Sequence, residues 1–164
     1  MAEVWVVNSS PLIVLAKVGQ LELLKAADRQ LVIPEAVRDE VLRGPPDDPA
    51  RQAIQSGFDA GSGSGIPDPM VLEWGLGSGE TAVLSDAKQC GGVAVVDDRA
   101  ARVAAKVMGI RIIGTLGVVL RAHRQGRIQS AVAVIRALRD AGLRLDDDLI
   151  REALARTTGE TWPE

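Results

Sequence analysis

The sequence has few of the residues that form disulfides, bind zinc or stack on nucleic-acid bases. It contains one cysteine (Cys90), one histidine (His123), one phenylalanine, three tryptophans and no tyrosine. A single cysteine excludes an intrachain disulfide and a zinc site built from several thiolates. So few aromatic side chains argue against a surface on which successive bases stack. Neither Cys90 nor His123 has a second metal ligand at a suitable spacing, and we expect both to be structural.

The sequence also lacks long apolar runs and an excess of positive charge. No apolar stretch approaches the roughly 18 residues that a membrane helix needs, and residues 1–7 are too short and too acidic for a signal peptide. We therefore expect a cytoplasmic protein that has no contact with a membrane. The net charge of −3 argues against non-specific coating of nucleic acid, which depends on many Lys and Arg contacts with phosphates. It does not exclude a nuclease, because a site that holds a divalent ion must itself be acidic.

Aliphatic residues, by contrast, are abundant, and their pattern alternates between strands and helices. Short β-branched runs predict buried strands at 4–7, 31–33, 93–96 and 110–113. Helical patterns with capping residues predict helices at 11–18, 21–27, 34–43, 78–89, 98–109, 115–124, 130–141 and 146–156. Strands that alternate with helices predict an α/β fold with a parallel sheet covered on both faces.

The chain shows no internal repeat and no boundary between domains, so we expect one domain over residues 1–164. Residues 44–69 are rich in Gly, Pro, Ser and Asp and predict a flexible insertion, with a mobile loop at Gly61–Gly65. Residues 115–157 predict a helical C-terminal part. The apolar residues of the first two helices predict either core or a partner surface: Leu12, Ile13, Leu15, Val18, Leu21, Leu23 and Leu24.

Two predicted strands end in polar residues suited to metal binding. The first strand leads to Asn8, and the strand at 93–96 leads to Asp97 and Asp98. In an α/β sheet, ligands bind outside the carboxyl ends of the strands. These residues are therefore candidates for one site, although an asparagine after a strand is also an ordinary turn residue and an aspartate an ordinary helix cap.

Two glutamates on predicted helices extend this set. Glu40 and Glu80 each border the buried face of a helix, where a carboxylate is costly unless something compensates it. Several converging carboxylates cannot all stay ionised without a cation, and Mg²⁺ or Mn²⁺ suits oxygen ligands and phosphate. Alone, Glu80 is explained by the dipole of its helix and Glu40 by solvation. The order and spacing of the segments favour a shared metal site.

Five segments carry a resemblance that covers nearly the whole chain apart from residues 44–76. They are VVNSSPLIVLAKVGQLELL, IPEAVRDEVL, LGSGETAVL, VVDDRAARVAAKVMGIRIIGTLGVVLRAHRQGRI and ALRDAGLRLDDDLIREAL. The chain resembles the PIN-domain ribonuclease superfamily, which includes the VapC-type toxins, and more narrowly a poorly characterised prokaryotic PIN-like family. The resemblance implies a three-layer α/β/α fold with a central, mostly parallel sheet of four to five strands.

The resemblance also implies a site and partners. Four positions of the family hold Mg²⁺ or Mn²⁺, and they correspond here to Asn8, Glu40, Glu80 and Asp98. Asp97 would be an accessory ligand. Ser10 matches a serine found near the metal. Arg99 and Arg102 follow Asp98 and are candidates for contacts with substrate phosphates. Other basic residues near the predicted site are Lys17, Arg38 and Arg43. The implied partners are RNA, a small antitoxin and a second copy of the chain.

Asn8 stands where the family has an acid, so three hypotheses remain open. The leading one is a metal-dependent endoribonuclease, the toxin of a toxin–antitoxin pair. The second is a PIN-like module that binds nucleic acid or a protein without cutting, since an amide carries no charge and cannot act as a base. The third is a phospho-acceptor site at Asp97 and Asp98, which lacks the acidic pair that receivers place after the first strand.

Overall fold

A computed structural model describes residues 2–162, and a four-stranded parallel sheet lies at its centre. The strands are β1 (Glu3–Val7), β2 (Arg29–Val32), β3 (Val93–Val95) and β4 (Arg111–Ile113), in the order β2-β1-β3-β4. Apart from Glu3, the two central strands are apolar without alternation because helices cover both faces of a parallel sheet. The predicted α/β fold with a parallel sheet is confirmed.

Nine α-helices flank the sheet in the described part of the chain. They are α1 (Ser9–Lys17), α2 (Glu35–Leu42), α3 (Pro49–Gln55), α4 (Pro69–Leu72), α5 (Ser78–Cys90), α6 (Arg99–Val107), α7 (Thr115–Arg124), α8 (Ala131–Asp140) and α9 (Asp147–Thr157). Within residues 2–162, no helix combines the length and the apolar character that crossing a membrane requires.

The helix predicted at 21–27 is a single 3-10 turn, Leu21–Leu24. Lys25 is already extended, with φ −92° and ψ 147°, and β2 begins at Arg29, so no further helical turn fits between them. The Arg29 guanidinium donates a hydrogen bond of 2.7 Å to the carbonyl oxygen of Leu24, which a longer helix would otherwise satisfy. Tertiary contacts therefore end this helix early.

The apolar residues of α1 and the following turn belong mainly to the core. Leu12, Leu15, Leu23 and Leu24 are buried. The remaining three, Ile13, Val18 and Leu21, are half-buried and pack against the same core. The structure thus favours the core interpretation of this apolar stretch over a partner surface.

The segment predicted as a flexible insertion follows a path fixed by several hydrogen bonds. Gly61 lies beside β2, donating to the Leu31 carbonyl at 2.9 Å and accepting from the Ile33 N–H at 2.8 Å. Further on, the backbone N–H and hydroxyl of Ser64 both donate to Asp86 Oδ1, at 3.2 and 2.9 Å. A Cβ at Gly63 would lie 2.0 Å from Asp86 Oδ2, so only glycine allows this approach. Flexibility of residues 44–69 stays a prediction.

Glu160 forms hydrogen bonds with the first residues of α8 and its N-cap. Its carboxylate accepts hydrogen bonds from Ser130 Oγ at 2.9 Å and from the Ala131 N–H at 3.0 Å. Burial raises the pKa of Glu160, but these hydrogen bonds outweigh it and the net pKa lies below the usual value. His123 Nε2 lies 3.6 Å from the same carboxylate. These contacts help to fix α8, whose C-terminal loop forms part of the site below.

Candidate functional site

A cleft of about 510 Å³ lies at the carboxyl ends of β1 and β3. Because these strands are parallel neighbours, the residues that follow them lie side by side. Four of the five predicted ligands line this cleft: Asn8, Glu80, Asp97 and Asp98. The predicted Ser10 lines it as well, together with Lys17 and the loop between α8 and α9. The topology therefore brings most of the predicted site together.

Asn8, the only asparagine in the chain, is 2% exposed and has one unsatisfied polar atom. Its Nδ2 donates to Glu80 Oε1 at 3.4 Å, which is longer than the usual range of about 2.7–3.2 Å for such a hydrogen bond. An ionised carboxylate only accepts hydrogen bonds, so Nδ2, and not Oδ1, is the amide atom next to Glu80 Oε1. Oδ1 is buried and has no partner among the described residues. Such an acceptor costs about 1–3 kcal/mol unless a donor or a cation satisfies it.

The backbone of Asn8 explains why its side chain is free to face the cleft. Its N–H donates to the Val95 carbonyl at 3.1 Å, extending the ladder between β1 and β3 by one residue. Helix α1 begins at Ser9, two residues before the predicted start, so Asn8 and not Ser10 is the N-cap residue. The Asn8 side chain makes no capping hydrogen bond, because it faces Glu80 instead.

Glu80 lies in the first turn of α5, and its side chain folds back over the start of that helix. A Cβ at Gly77 would lie 2.6 Å from Glu80 Oε2, so the absence of a side chain at position 77 makes room for the carboxylate. The N-cap of α5 is Gly77 and not the predicted Ser78. The positive end of the helix dipole stabilises a carboxylate at this position.

Glu40 lies behind the cleft and does not line it. Its Oε2 accepts a hydrogen bond of 2.9 Å from Ser9 Oγ. Its Oε1 lies 2.3 Å from the position that a Cβ of Gly79 would occupy, so the carboxylate packs against the bare backbone of α5. The structure therefore joins Glu40 to the cleft through Ser9 and α5, and these contacts were not predicted from the sequence.

The two consecutive aspartates cap two different helices. Asp98 Oδ2 accepts from the Ala101 N–H at 2.9 Å and caps α6. Asp97 accepts from the N–H of Thr115 at 2.8 Å and from its hydroxyl at 2.6 Å, and so caps α7 from outside that helix. Thr115 is fully buried, which makes these hydrogen bonds important for stability. These hydrogen bonds give Asp97 a structural role. Asp98 Oδ1, in contrast, makes no hydrogen bond within residues 2–162.

The cations of the cleft differ from those predicted to contact phosphate. Lys17 and Arg144 line the cleft, whereas Arg99 and Arg102 line a neighbouring groove. Arg102 also donates to the Val96 carbonyl at 3.0 Å. Arg144 comes from the loop between α8 and α9, where no strand end or motif marks a site in the sequence. Arg144 was therefore not predicted from the sequence.

The donor chemistry of the cleft fits a hard divalent cation held by few protein ligands. An amide oxygen and the carboxylates of Glu80 and Asp98 are the oxygen ligands that Mg²⁺ and Mn²⁺ prefer. Within residues 2–162, however, no three Asp, Glu, His or Cys side chains lie close enough to share one ion. The four predicted carboxylates therefore do not all converge on one point. Mg²⁺ commonly binds through one or two carboxylates, with water and substrate phosphate completing its shell.

Comparison with known families identifies the fold. A family model, DUF3368, described as a PIN domain, matches residues 4–159. The chain belongs to this PIN-domain family. The predicted superfamily is thereby confirmed, and the PIN domain supports a nuclease-type fold and nucleic-acid binding. PIN domains generally use divalent metal ions. No curated protein matches the chain.

Proposed function

We propose that this PIN domain is a metal-dependent endoribonuclease that holds its ion weakly until RNA binds. One observation carries the proposal: Asn8, whose buried Oδ1 has no partner among the described residues, lines a cleft that Glu80 and Asp98 also line. Two carboxylates and one neutral amide supply less negative charge than the acidic set that the family resemblance implies. Phosphate oxygens of the substrate would complete the coordination, so metal and RNA are expected to bind cooperatively.

The residues of the cleft have two roles in this proposal, ion binding and phosphate binding. Asn8 Oδ1, Glu80 and Asp98 would hold Mg²⁺ or Mn²⁺, which when bound orients an attacking water and stabilises charge on the phosphate. Asn8 Nδ2 donates a long hydrogen bond to the Glu80 carboxylate. Lys17 and Arg144 supply N–H donors that neutralise phosphate charge on the wall of the cleft.

Two acids act by positioning other residues in this proposal, Glu40 from behind the cleft and Asp97 from its wall. The hydrogen bond from Ser9 to Glu40 holds the first turn of α1 against α2, directly after Asn8. Glu40 is therefore a positioning residue whose carboxylate orients the segment that carries Asn8. Asp97 has a similar role for the segment that carries Asp98, because its bonds to Thr115 fix the end of β3 against α7.

The purified protein is expected to cleave single-stranded RNA with Mn²⁺ or Mg²⁺ and to lose all activity in excess chelator. Glu80→Gln, prepared in parallel, is expected to cleave at least about 10²-fold more slowly, since a charged ligand is removed. Glu152→Gln, a change on the exposed face of α9, is the matched control and should keep the wild-type rate. Cleavage that persists in chelator, or equal cleavage by the Glu80 variant, would contradict the proposal.

Asn8 also favours a second candidate function, a PIN module that binds nucleic acid without cutting it. RNA binding without cleavage under any divalent ion would support that candidate. We further propose from the family resemblance that the protein is a cytoplasmic homodimer and the toxin of a toxin–antitoxin pair. Light scattering tests whether the protein is a dimer. Growth arrest on expression, relieved by the product of a neighbouring gene, tests whether it is a toxin.

A further inference from the structure

A second and larger depression lies beside the cleft, at the free edge of the sheet. This β4 groove has a volume of about 1350 Å³ and runs between α6, β4, α7 and the start of α9. Asp97 and Arg144 line both the groove and the cleft, so the two depressions are adjacent. The proposed function uses no other residue of the β4 groove.

One wall of the β4 groove is a basic face of α6. Arg99, Arg102, Val103 and Lys106 all line it, at the spacing that places side chains on one side of a helix. Val103 is 49% exposed in the middle of this face. This face of α6 therefore presents three cations to the groove.

The charges of the β4 groove are strongly unbalanced. Five cations line it, the three on α6 together with Arg111 and Arg144, against two acids, Asp97 and Asp146. Both acids accept hydrogen bonds from neutral donors, Asp97 from Thr115 and Asp146 from the Asp148 N–H at 2.7 Å, and neither forms an ion pair with these cations. Among the described residues, Arg99, Lys106 and Arg144 form no ion pair. The groove is therefore complementary to an extended anion.

The floor of the β4 groove is aliphatic and includes an open strand edge. It is formed by Ile110, Ile112, Ile113, Leu116, Leu120, Leu145 and Leu149. The Ile113 carbonyl accepts from the Val96 N–H, so in a parallel ladder the backbone groups of Ile112 face the opposite, open side. The groove thus offers apolar surface for base faces and backbone groups for base edges.

We propose that the β4 groove binds the single-stranded RNA that flanks the scissile phosphate. This inference rests on the proposed function, because continuity with the cleft is what favours RNA over an acidic peptide. The phosphates would lie along Arg144, Arg99 and Lys106, and unpaired bases would pack on the aliphatic floor. A single strand is required, since only unstacked bases expose their faces. The scarcity of aromatic residues is compatible with this mode, because the floor is aliphatic.

The test compares a long single-stranded RNA with a trinucleotide that fits the cleft alone. In Arg99→Gln/Lys106→Gln, kcat/KM on the long RNA should fall at least about tenfold more than kcat/KM on the trinucleotide, through KM. The slope of log affinity against log salt for the long RNA should decrease by about 1.4, because two side chains no longer neutralise phosphates. Both substituted side chains are exposed, so the fold is retained. Arg124→Gln, at the far end of α7, is the control and should change neither value.

The outcomes separate this inference from the proposed function. If the wild type cleaves neither RNA but the double variant still binds the long RNA more weakly, the nuclease proposal fails and the groove proposal stands. If the wild type cleaves both and the double variant shows equal effects on both lengths, the groove proposal is overturned. Unchanged RNA affinity in the double variant also overturns the groove proposal. An acidic protein partner would then be the remaining candidate ligand of the groove.

Discussion

Asp98→Asn is expected to slow RNA cleavage by at least about 10²-fold while leaving the protein folded, because it removes a charged ligand from the site. Asparagine caps a helix about as well as aspartate. The new side chain therefore keeps the hydrogen bond to the Ala101 N–H that begins α6. The variant separates the two roles of Asp98, because only its charge is removed.

Asp98→Ala is the companion variant, and it should lose stability as well as activity. Removing the cap costs about 1 kcal/mol, or about 2–4 °C in Tm for a domain of this size. Asp48 provides the matched control, because it caps α3 in the same way, accepting from the Arg51 N–H at 3.0 Å, and does not line the cleft. Asp48→Ala should lower Tm without slowing cleavage. A wild-type rate for Asp98→Asn would remove Asp98 from the mechanism.

Asn8→Asp is expected to make the stability of the protein depend on divalent ions. The new carboxylate would be nearly fully buried, about 3.4 Å from Glu80 Oε1. Two ionised carboxylates at that distance repel each other strongly without a cation. We expect the free energy of unfolding in chelator to fall by about 2–4 kcal/mol, which corresponds to a decrease in Tm of about 5–15 °C.

Mn²⁺ should reverse this destabilisation, because an ion that binds only the folded state stabilises it, by about 2.7 kcal/mol at a hundredfold excess over Kd. The wild type should show a much smaller Tm increase with Mn²⁺ alone. The double variant Asn8→Asp/Glu80→Gln is the control. Removing the second charge should restore Tm in chelator and reduce the Mn²⁺ response. A Tm of Asn8→Asp that is low but insensitive to divalent ions would show that position 8 does not face an ion site.

The sequence was sufficient to predict the edge of the sheet where the candidate site lies. Residues that follow neighbouring parallel strands must lie together, so Asn8 and the pair Asp97–Asp98 were predictable from the strand patterns alone. Glu80 was predictable from its position beside the buried face of α5. Each of these inferences needs only local periodicity and one rule of topology.

The roles of individual side chains were not predictable in this way. Asp97 and Asp98 are consecutive, and their separate functions depend on Thr115, a residue 18 positions further along the chain from Asp97. Glu40 was expected to join the other acids, but the packing of α2 against α5 directs it to Ser9 and Gly79. Arg144 reaches the cleft only because the loop after α8 returns to it.

Glycine is the residue whose role the sequence showed least clearly. The run Gly61–Gly65 has the composition of a flexible linker. In the structure, Gly61 pairs with β2 and Gly63 makes room for the Asp86 carboxylate. Gly77 and Gly79 similarly make room for Glu80 and Glu40. A glycine needed for close approach cannot be distinguished from a linker glycine without knowing what lies opposite it.

Crystals soaked in Mn²⁺, with and without a bound oligonucleotide, test the central claim most directly. We predict an anomalous peak in the cleft at about 2.0–2.3 Å from Asn8 Oδ1 and from a carboxylate oxygen of Glu80 or Asp98, with higher occupancy when the oligonucleotide is present. A cleft without a peak in both soaks, with Asn8 Oδ1 hydrogen-bonded to a protein donor, would contradict the account.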